Sequence, residues 1–494
     1  MPTKKIIISR FDGGISEDKR STDASKFSLT KHFDIFSYPH KLVPYYKFQA
    51  FAGEDKALKI ARLIYAPRDA AETTFKLWGL GIKNGGTTET GIYMQDPYSE
   101  STWSTPNNNE GSAARNTSVF FYYKQYIYVW QGGSYLARFD VTSGGAYSNT
   151  YQTITYTNLA EPVHHRADDI AYFFSDNNVH TLNAASWTTN ALVLPSNQII
   201  KSACEYGNYL AIGCITKGTF NVKTTVFLWD RDSSLNTLSE RIDFGEGSLI
   251  SLHNLDGKLT ALMNYYGNNA LANAQPKILV KQSSGLFGVS LQELIGDYVS
   301  SSNGAGKGVV KNGKIFFPAS IQLNGDARFG VWAVDGNGKF TLALENPDAT
   351  SIQDIYPLAN SWWMVHSGDF STDHNMPTAV DGYYSSVNPA TYESLIINGG
   401  DSEQDKKLVR VSINTEPLPA AGQIVLKYRK NEETAWTTIY TDATDNQISH
   451  TAINIESTGA NLPEFNEIQF QILSTGGAAP TGLKVELEEI DTGI

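Results

Sequence analysis

The residues able to do chemistry are few and scattered. The densest group is His164-His165-Arg166-Ala167-Asp168-Asp169, with two imidazoles and two carboxylates, the donor types that hold a transition metal. Neighbours in an extended strand point to opposite faces, so only His164 with Asp168, or His165 with Asp169, would share one. Such partners stand roughly 13 Å apart, too far to hold one ion. The stretch therefore reads as a solvated strand start. Asp369, Asp373 and His374 offer calcium-type donors without the D-x-[DN]-x-[DN]-G spacing, and read as an exposed loop. Cys204 and Cys214 are the only cysteines. The stretch 199–215 predicts a hairpin turning at Tyr206-Gly207-Asn208. With Glu205 facing Asn208, the sulfurs would lie roughly 16 Å apart, beyond the reach of a disulfide. Thiols left free suit a reducing cytoplasm.

No phosphate loop, H-E-x-x-H zinc site or G-x-S-x-G elbow is present. Gly79-Leu80-Gly81 sits within a strand, so it does not signal a dinucleotide site. The sequence thus predicts no catalytic, metal or cofactor-binding residues and no cofactor. The net charge of −12 excludes generic binding to phosphate backbones, which needs clustered Lys and Arg. Proteins, sugars or other β surfaces remain as partners. The longest apolar run near the start is Ile6-Ile7-Ile8, too short for a signal peptide or a membrane helix, so neither export nor membrane insertion is expected.

The elements that would position any site are strands. Aromatic and β-branched residues suit pleated surfaces, and the 41 Gly suit the turns between them. An imperfect repeat of about 50 residues, in the range of propeller blades, begins near residues 56, 115, 165, 199, 248, 306 and 350. Each unit opens on a hairpin. Asn312-Gly313 and Asp256-Gly257 give the strongest turn signals. Tyr206-Gly207-Asn208-Tyr209, Ser175-Asp176-Asn177-Asn178, Leu358-Ala359-Asn360-Ser361 and Lys124-Gln125 take equivalent places. A third strand follows, as at Leu136–Asp140, Phe227-Leu228-Trp229, Val331–Asp335 and Phe75–Gly79. A fourth is seen at Phe340–Leu344 and Thr153–Tyr156. The fold class expected is all-β: a seven-bladed β-propeller over 48–400, an extended N-terminal arm over 1–47, and a small C-terminal antiparallel β-sandwich over 401–494. The sandwich strands are placed at Leu408–Ile413, Ile424–Tyr428, Thr437–Tyr440, Glu467–Leu473 and Gly482–Leu487.

Propeller glycosidases would need paired acids about 5–9.5 Å apart, which a sequence cannot place. The sialidase turn S-x-D-x-G-x-T-W has no copy; Ser101-Thr102-Trp103 and Thr434-Ala435-Trp436 match only its end. Tyr122, Tyr123, Tyr126, Tyr128, Trp130, Trp362 and Trp363 are of the kind that stack on sugars, but alternate residues in such strands read first as core between blades.

The ends differ in charge: residues 1–50 carry nine basic against five acidic residues, and residues 401–494 seven against fifteen. The arm also holds Phe27, Phe33, Phe36, Tyr38, Leu42, Tyr45 and Tyr46, apolar surface that a lone arm cannot shield. Contact through residues 1–47 with another copy or a neighbouring protein is therefore expected, the alternative being that the arm wraps its own propeller. In the first case removing residues 1–25 should leave the melting temperature unchanged but prevent assembly, and in the second it should unfold the chain.

Three passages carry a family resemblance: Ile6–Ser16 with its F-x-G-G-I core (Phe11-Asp12-Gly13-Gly14-Ile15), His40–Tyr45, and the terminal segments 407–411, 425–429 and 465–470. In these the chain resembles virion structural proteins of tailed bacteriophages that join a propeller to a terminal sandwich. The resemblance implies a non-enzymatic tail nozzle or hub component, forming a homo-oligomeric ring with other virion tail proteins and assembled in the host bacterial cytoplasm. The alternative is a tail adhesin whose propeller binds a host-surface carbohydrate or receptor; a glycoside hydrolase ranks below it.

Overall fold

A computed structural model of the chain describes residues 3–490 except 17, 46–47, 51–57, 70, 84–89, 96–103, 108–118, 131–133, 143–145, 219–221, 235–236, 266–272, 282–288, 294–298, 301–306, 324–325, 346–351, 358–361, 369–370, 378–388, 432 and 455–463. Every regular element among them is a β-strand. The chain divides into two compact units, one of residues 49–329 with 347–376, the other of 1–48 with 330–346 and 377–494.

The larger unit is a succession of antiparallel meanders, lettered here in chain order. Sheet A holds Leu58–Pro67, Phe75–Lys83, Thr90–Gln95 and Ser104–Asn107; sheet B holds Phe120–Tyr123, Tyr126–Trp130, Tyr135–Asp140 and Tyr147–Thr153. Sheet C runs through Leu159–His165, Ile170–Ser175, Asn178–Asn183 and Ser186–Val193; sheet D through Gln198–Tyr206, Tyr209–Thr216, Lys223–Trp229 and Glu240–Glu246. Sheet E contains Ser248–Leu255, Lys258–Tyr265, Asn273–Lys281 and Val289–Glu293. Sheet F opens on Val309–Lys311 and Lys314–Leu323, and the division between units falls inside its next strand, Asp326–Asp335. Sheet G contains Ile352–Pro357, Trp362–Gly368 and Ser371–Pro377, with Phe48–Ala50 as its fourth strand.

Leading strands pack on one another in cyclic order: A on B, B on C, C on D and D on E. The leading strand of E then meets Lys314–Leu323 of F, F meets G, and G returns to A. Apolar residues on alternate strand positions fill the spaces between. Trp78, Leu80 and Ile92 of A meet Phe120, Ile127 and Val129 of B; Tyr128, Trp130 and Leu136 of B meet Ala171, Phe173 and Leu182 of C. Tyr172 and Phe174 of C likewise meet Ile212, Phe227 and Trp229 of D. Tyr123, Tyr128 and Trp130 are thus interior residues, as their alternation predicts. The side chains of Trp362 and Trp363 lie outside the described residues.

Turn chemistry fixes the hairpins. Asp256 and Gly257 (φ 50° and 81°) and Asn312 and Gly313 (φ 51° and 69°) both take the positive φ that a two-residue turn of this hand requires. Lys124 and Gln125 do the same without glycine (φ 39° and 70°). Several expectations need correction. Sheet C begins at Leu159 rather than near 165, so Asp176-Asn177 joins its second and third strands instead of its first two. Phe75–Gly79 lies in the second strand of A, and only Thr153 of residues 153–156 is in a strand. The turn 358–361 lies outside the described residues, although Pro357 pairs with Trp362 across it.

The smaller unit contains both ends of the chain. One sheet orders Thr3–Ile8, Pro480–Glu489, Lys406–Thr415 and Ser449–Asn454; another runs Phe340–Glu345, Phe27–Lys31, Ala390–Ser394, Ile468–Thr475, Gln423–Lys430 and Thr437–Asp442. The five expected terminal strands are present, but residues 1–47 are no free arm. They supply an edge strand to the first sheet and an interior strand to the second, and Ala390–Ser394 enters the same unit ahead of residue 401. The reason is apolar. Phe11 and Phe27 are fully buried, with ring centroids 5.3 and 5.8 Å from Tyr392. Phe33 and Leu42 are fully buried too, whereas Tyr38 is half exposed; Tyr46 lies outside the described residues.

Charge agrees with this pairing. Lys5 stands opposite Glu486, Arg20 holds Glu467 through two bonds of 2.8 and 2.9 Å, and Lys41 Nζ lies 3.5 Å from Glu416. The basic head and acidic tail therefore meet within one molecule. The glycines of the opening motif have a packing reason. A Cβ on Gly13 would lie 2.6 Å from the Ser25 carbonyl carbon, and Gly14 has φ +80°.

Candidate functional site

One irregularity recurs in the leading strands. Where Ile60 pairs with Gly81, the next pair is Arg62 with Leu80, so Ala61 is an extra residue. The same two-against-one count occurs before Ser202 in D, before Ser251 in E and before Asp354 in G, and between Ala160 and Val163 in C. Bulges of this kind bend a strand and re-aim the side chain that follows. Here they turn Arg62, Glu161, Ser202, Ser251 and Asp354 toward a common region.

Three of these side chains tie successive sheets together. Asp354 Oδ2 of G accepts the Leu63 N–H of A at 2.8 Å. Ser202 Oγ of D accepts the Leu252 N–H of E at 3.0 Å. Ser251 Oγ of E accepts the N–H of Gly308, next to the leading strand of F, at 3.1 Å. In each case an oxygen at a bulge satisfies a backbone N–H in or beside the leading strand of the next sheet.

Ion pairs then link A to its neighbour G and also reach across to C, which neighbours neither A nor F. Arg62 of A reaches Glu161 of C at 3.3 Å and Asp354 of G at 3.4 Å, and Lys307, preceding F, also bonds Glu161. Burial alone would weaken the charge on Arg62, but Asp354 and Glu161 outweigh it and raise its pKa. Burial likewise works against ionised Glu161, yet Lys307 and Arg62 hold it below the usual carboxylate range. At Asp354 burial wins over Arg62 and Lys307, and its pKa is raised. The two acids are thus pushed apart by environment.

Beside this network lies a cavity of about 440 Å³, lined among others by Glu161, Ser202, Glu205, Ser251, His253 and Lys307. Cys204 also lines it; burial pushes its thiol well up, which keeps the sulfur neutral and unreactive. Cys204 faces Ala211 and Cys214 faces Ile200, because the hairpin turns at Gly207-Asn208, two positions from the register expected. Both thiols are free.

The metal candidate is arranged differently from the expected extended strand. Residues 166–169 turn the chain, with His165 opposite Ile170 and Asp169 at φ 54°. The turn brings His164 Nε2 to 2.9 Å from Asp169 Oδ1. Arg231 approaches His165 Nδ1 at 2.7 Å and Asp168 at 2.8 Å, and the Tyr172 hydroxyl donates to Asp168 at 2.8 Å. An arginine takes the place that an ion would need, and no three metal-ligating side chains converge among the described residues. Asp373 and His374 lie on the strand Ser371–Pro377 rather than in a loop; Asp369 lies outside the described residues.

Two buried histidines add a pH dependence. Burial pushes His180 and His253 down to about 4. His180 Nδ1 accepts the Asn190 N–H at 3.2 Å and its Nε2 lies 2.8 Å from Ser175 Oγ, a neutral-ring pattern. A lowered histidine pKa favours folding above the unfolded value near 6.5, and that contribution is lost as pH falls toward 4. The melting temperature should accordingly fall between pH 7 and 4.5 in a thermal denaturation series; a flat profile would contradict this assignment.

No family model matches the chain, and no curated protein matches it. Among solved structures, a protein described as a glycoside hydrolase aligns over 90% of this chain and 97% of its own, at 11% identity and TM-score 0.30. The β-propeller domain of Myceliophteria thermophila Cps50 (Swd1) aligns over 68% and 100%, at 10% identity and TM-score 0.42. A protein of unknown function from Bacteroides caccae aligns over 49% and 90%, at 9% identity and TM-score 0.29. Likeness at these scores assigns no activity to the chain.

Proposed function

We propose that the chain is a non-enzymatic structural protein of a tailed-phage virion, a tail nozzle or hub component. In this reading sheets A–G are the seven blades of a β-propeller, and the two sheets of the smaller unit form a β-sandwich. The cyclic order of leading strands and the closing of sheet G by Phe48–Ala50 support the propeller. One observation carries the functional reading: the passages that resemble phage proteins all fall in the smaller unit, where they are its framework. Phe11, Ile15, Leu42, Leu408, Val411, Leu426, Phe465, Ile468 and Phe470 are all buried there. The partners are further copies in a ring and other tail proteins, and the place of assembly is the host bacterial cytoplasm. The pairing of Arg62, Glu161, Lys307 and Asp354 with one another favours a structural role for these acids over glycoside hydrolysis.

The test is expression beside the neighbouring genes, followed by negative-stain microscopy and immunogold labelling of particles. Rings, or label on the tail, are expected. A chain that stays monomeric, labels no particle and hydrolyses an oligosaccharide would overturn the proposal.

A further inference from the structure

The cavity between the leading strands of C, D, E, F and G has the chemistry of a small-molecule site. At about 440 Å³ it falls within the roughly 300–1,000 Å³ of ordinary ligand pockets. Its polar groups retain bonding capacity. The side chains of Glu161, Glu205 and Lys307 are each about a third exposed (31%, 33% and 38%). Glu205 accepts the Arg166 N–H at 3.2 Å and has lone pairs to spare. Ser202 spends an oxygen lone pair on the Leu252 N–H, so its hydroxyl proton can still be donated. Gly308 lets this wall come close: a Cβ there would lie 2.9 Å from His253 Nε2 and 2.8 Å from Ile315.

Charge selects the ligand class. Among the lining side chains Lys307 stands against Glu161 and Glu205, one cation against two acids. A phosphate or other anion meets an ammonium already paired and a carboxylate in excess. A metal ion lacks three converging ligands among the described residues. A neutral polyol meets neither obstacle, because each hydroxyl both donates to a carboxylate and accepts from an ammonium. Pro162, Val163, Val309 and Pro357 supply apolar wall beside these groups, suited to the C–H faces of a sugar ring. The geometry points to a neutral saccharide bound in this cavity, with Glu205 and Lys307 contacting adjacent hydroxyls. This goes beyond the virion reading and does not depend on it.

Saturation-transfer difference NMR on the full chain tests the assignment, with glucose, galactose, mannose, N-acetylglucosamine and N-acetylgalactosamine as probes. At least one should show transfer to its ring protons, and Glu205→Gln should weaken its binding roughly tenfold, as expected for a lost charge-assisted hydrogen bond. Glu205→Gln keeps the size of the side chain and an oxygen for the Arg166 N–H, so its melting temperature should match the wild type; Lys307→Gln gives a second reading. With a disaccharide of the responding sugar, transfer confined to one ring marks a chain-end site. Failure of the disaccharide to bind, while the monosaccharide does, marks a site for free sugar. No transfer from any probe overturns the proposal. So does transfer unchanged in both variants, or displacement of the sugar by inorganic phosphate.

Discussion

Deleting residues 1–25 should unfold the unit built from both ends of the chain. The deletion takes the edge strand Thr3–Ile8 from Pro480–Glu489 and removes Phe11 and Ile15, both buried, together with Arg20 and its paired bonds to Glu467. Truncating a buried Phe alone costs about 3–5 kcal/mol, and a whole domain is stable by only about 5–15 kcal/mol. The expected result is loss of a thermal transition in calorimetry, with a smaller drop for Phe11→Ala. An unchanged melting profile, which the picture of a free arm predicts, would show that these contacts do not hold the unit. For the same reason residues 406–494 alone should not yield a folded fragment, because their sheets lack Phe27–Lys31, Ala390–Ser394 and Thr3–Ile8.

Replacing Arg62 by Met should be the most damaging single change at the bulges. The variant keeps the bulk of the side chain but takes the paired cation from Asp354 and leaves Glu161 with Lys307 alone. Removing one member of a buried ionic group costs about 3–5 kcal/mol. The side chain of Asp354 is 6% exposed and that of Glu161 31%, so about 3 kcal/mol is expected. The pH dependence has a definite sign. Wild-type Glu161 has a lowered pKa, so its stabilising contribution is present above the unfolded value near 4.5 and is lost below it. Without Arg62 the carboxyls bind protons more readily, and the gap between variant and wild type should shrink as pH falls from 7 toward 4. Urea denaturation at several pH values measures this. A gap independent of pH would mean that lost packing, not charge, accounts for the effect.

How far the fold was legible depended on whether local chemistry carried the signal. Asp256-Gly257 and Asn312-Gly313 announce their turns because few other residue pairs accept two positive φ values. The turn after His165 was missed because residues 166–169 carry neither Gly nor Pro, and its bend depends on Asp169 at φ 54°. The strand Ser449–Asn454 was missed because its polar residues show little alternation. The bulge positions were also invisible: Arg62, Ser202, Ser251 and Asp354 share a place but not a chemistry, so no motif links them. Their equivalence lies in one extra residue of register, which only strand pairing reveals. Phe27, Phe33 and Leu42 read as needing cover, but partners hundreds of residues away in sequence leave no local trace.

The fourth strand of sheet G has a consequence for biosynthesis. Phe48–Ala50 leaves the ribosome early, whereas its partner Ser371–Pro377 appears only after roughly 330 more residues, an interval on the order of 15–60 s at ordinary rates of elongation. Until then the nascent chain holds an unmatched strand at one end and growing sheets at the other. Each new sheet can pack on its predecessor as it emerges, yet the cycle cannot close before synthesis passes residue 377. A ribosome stalled short of that point would release an unclosed set of sheets with two bare edges, a template for joining other chains, so closure doubles as a check that translation has passed the last of these sheets.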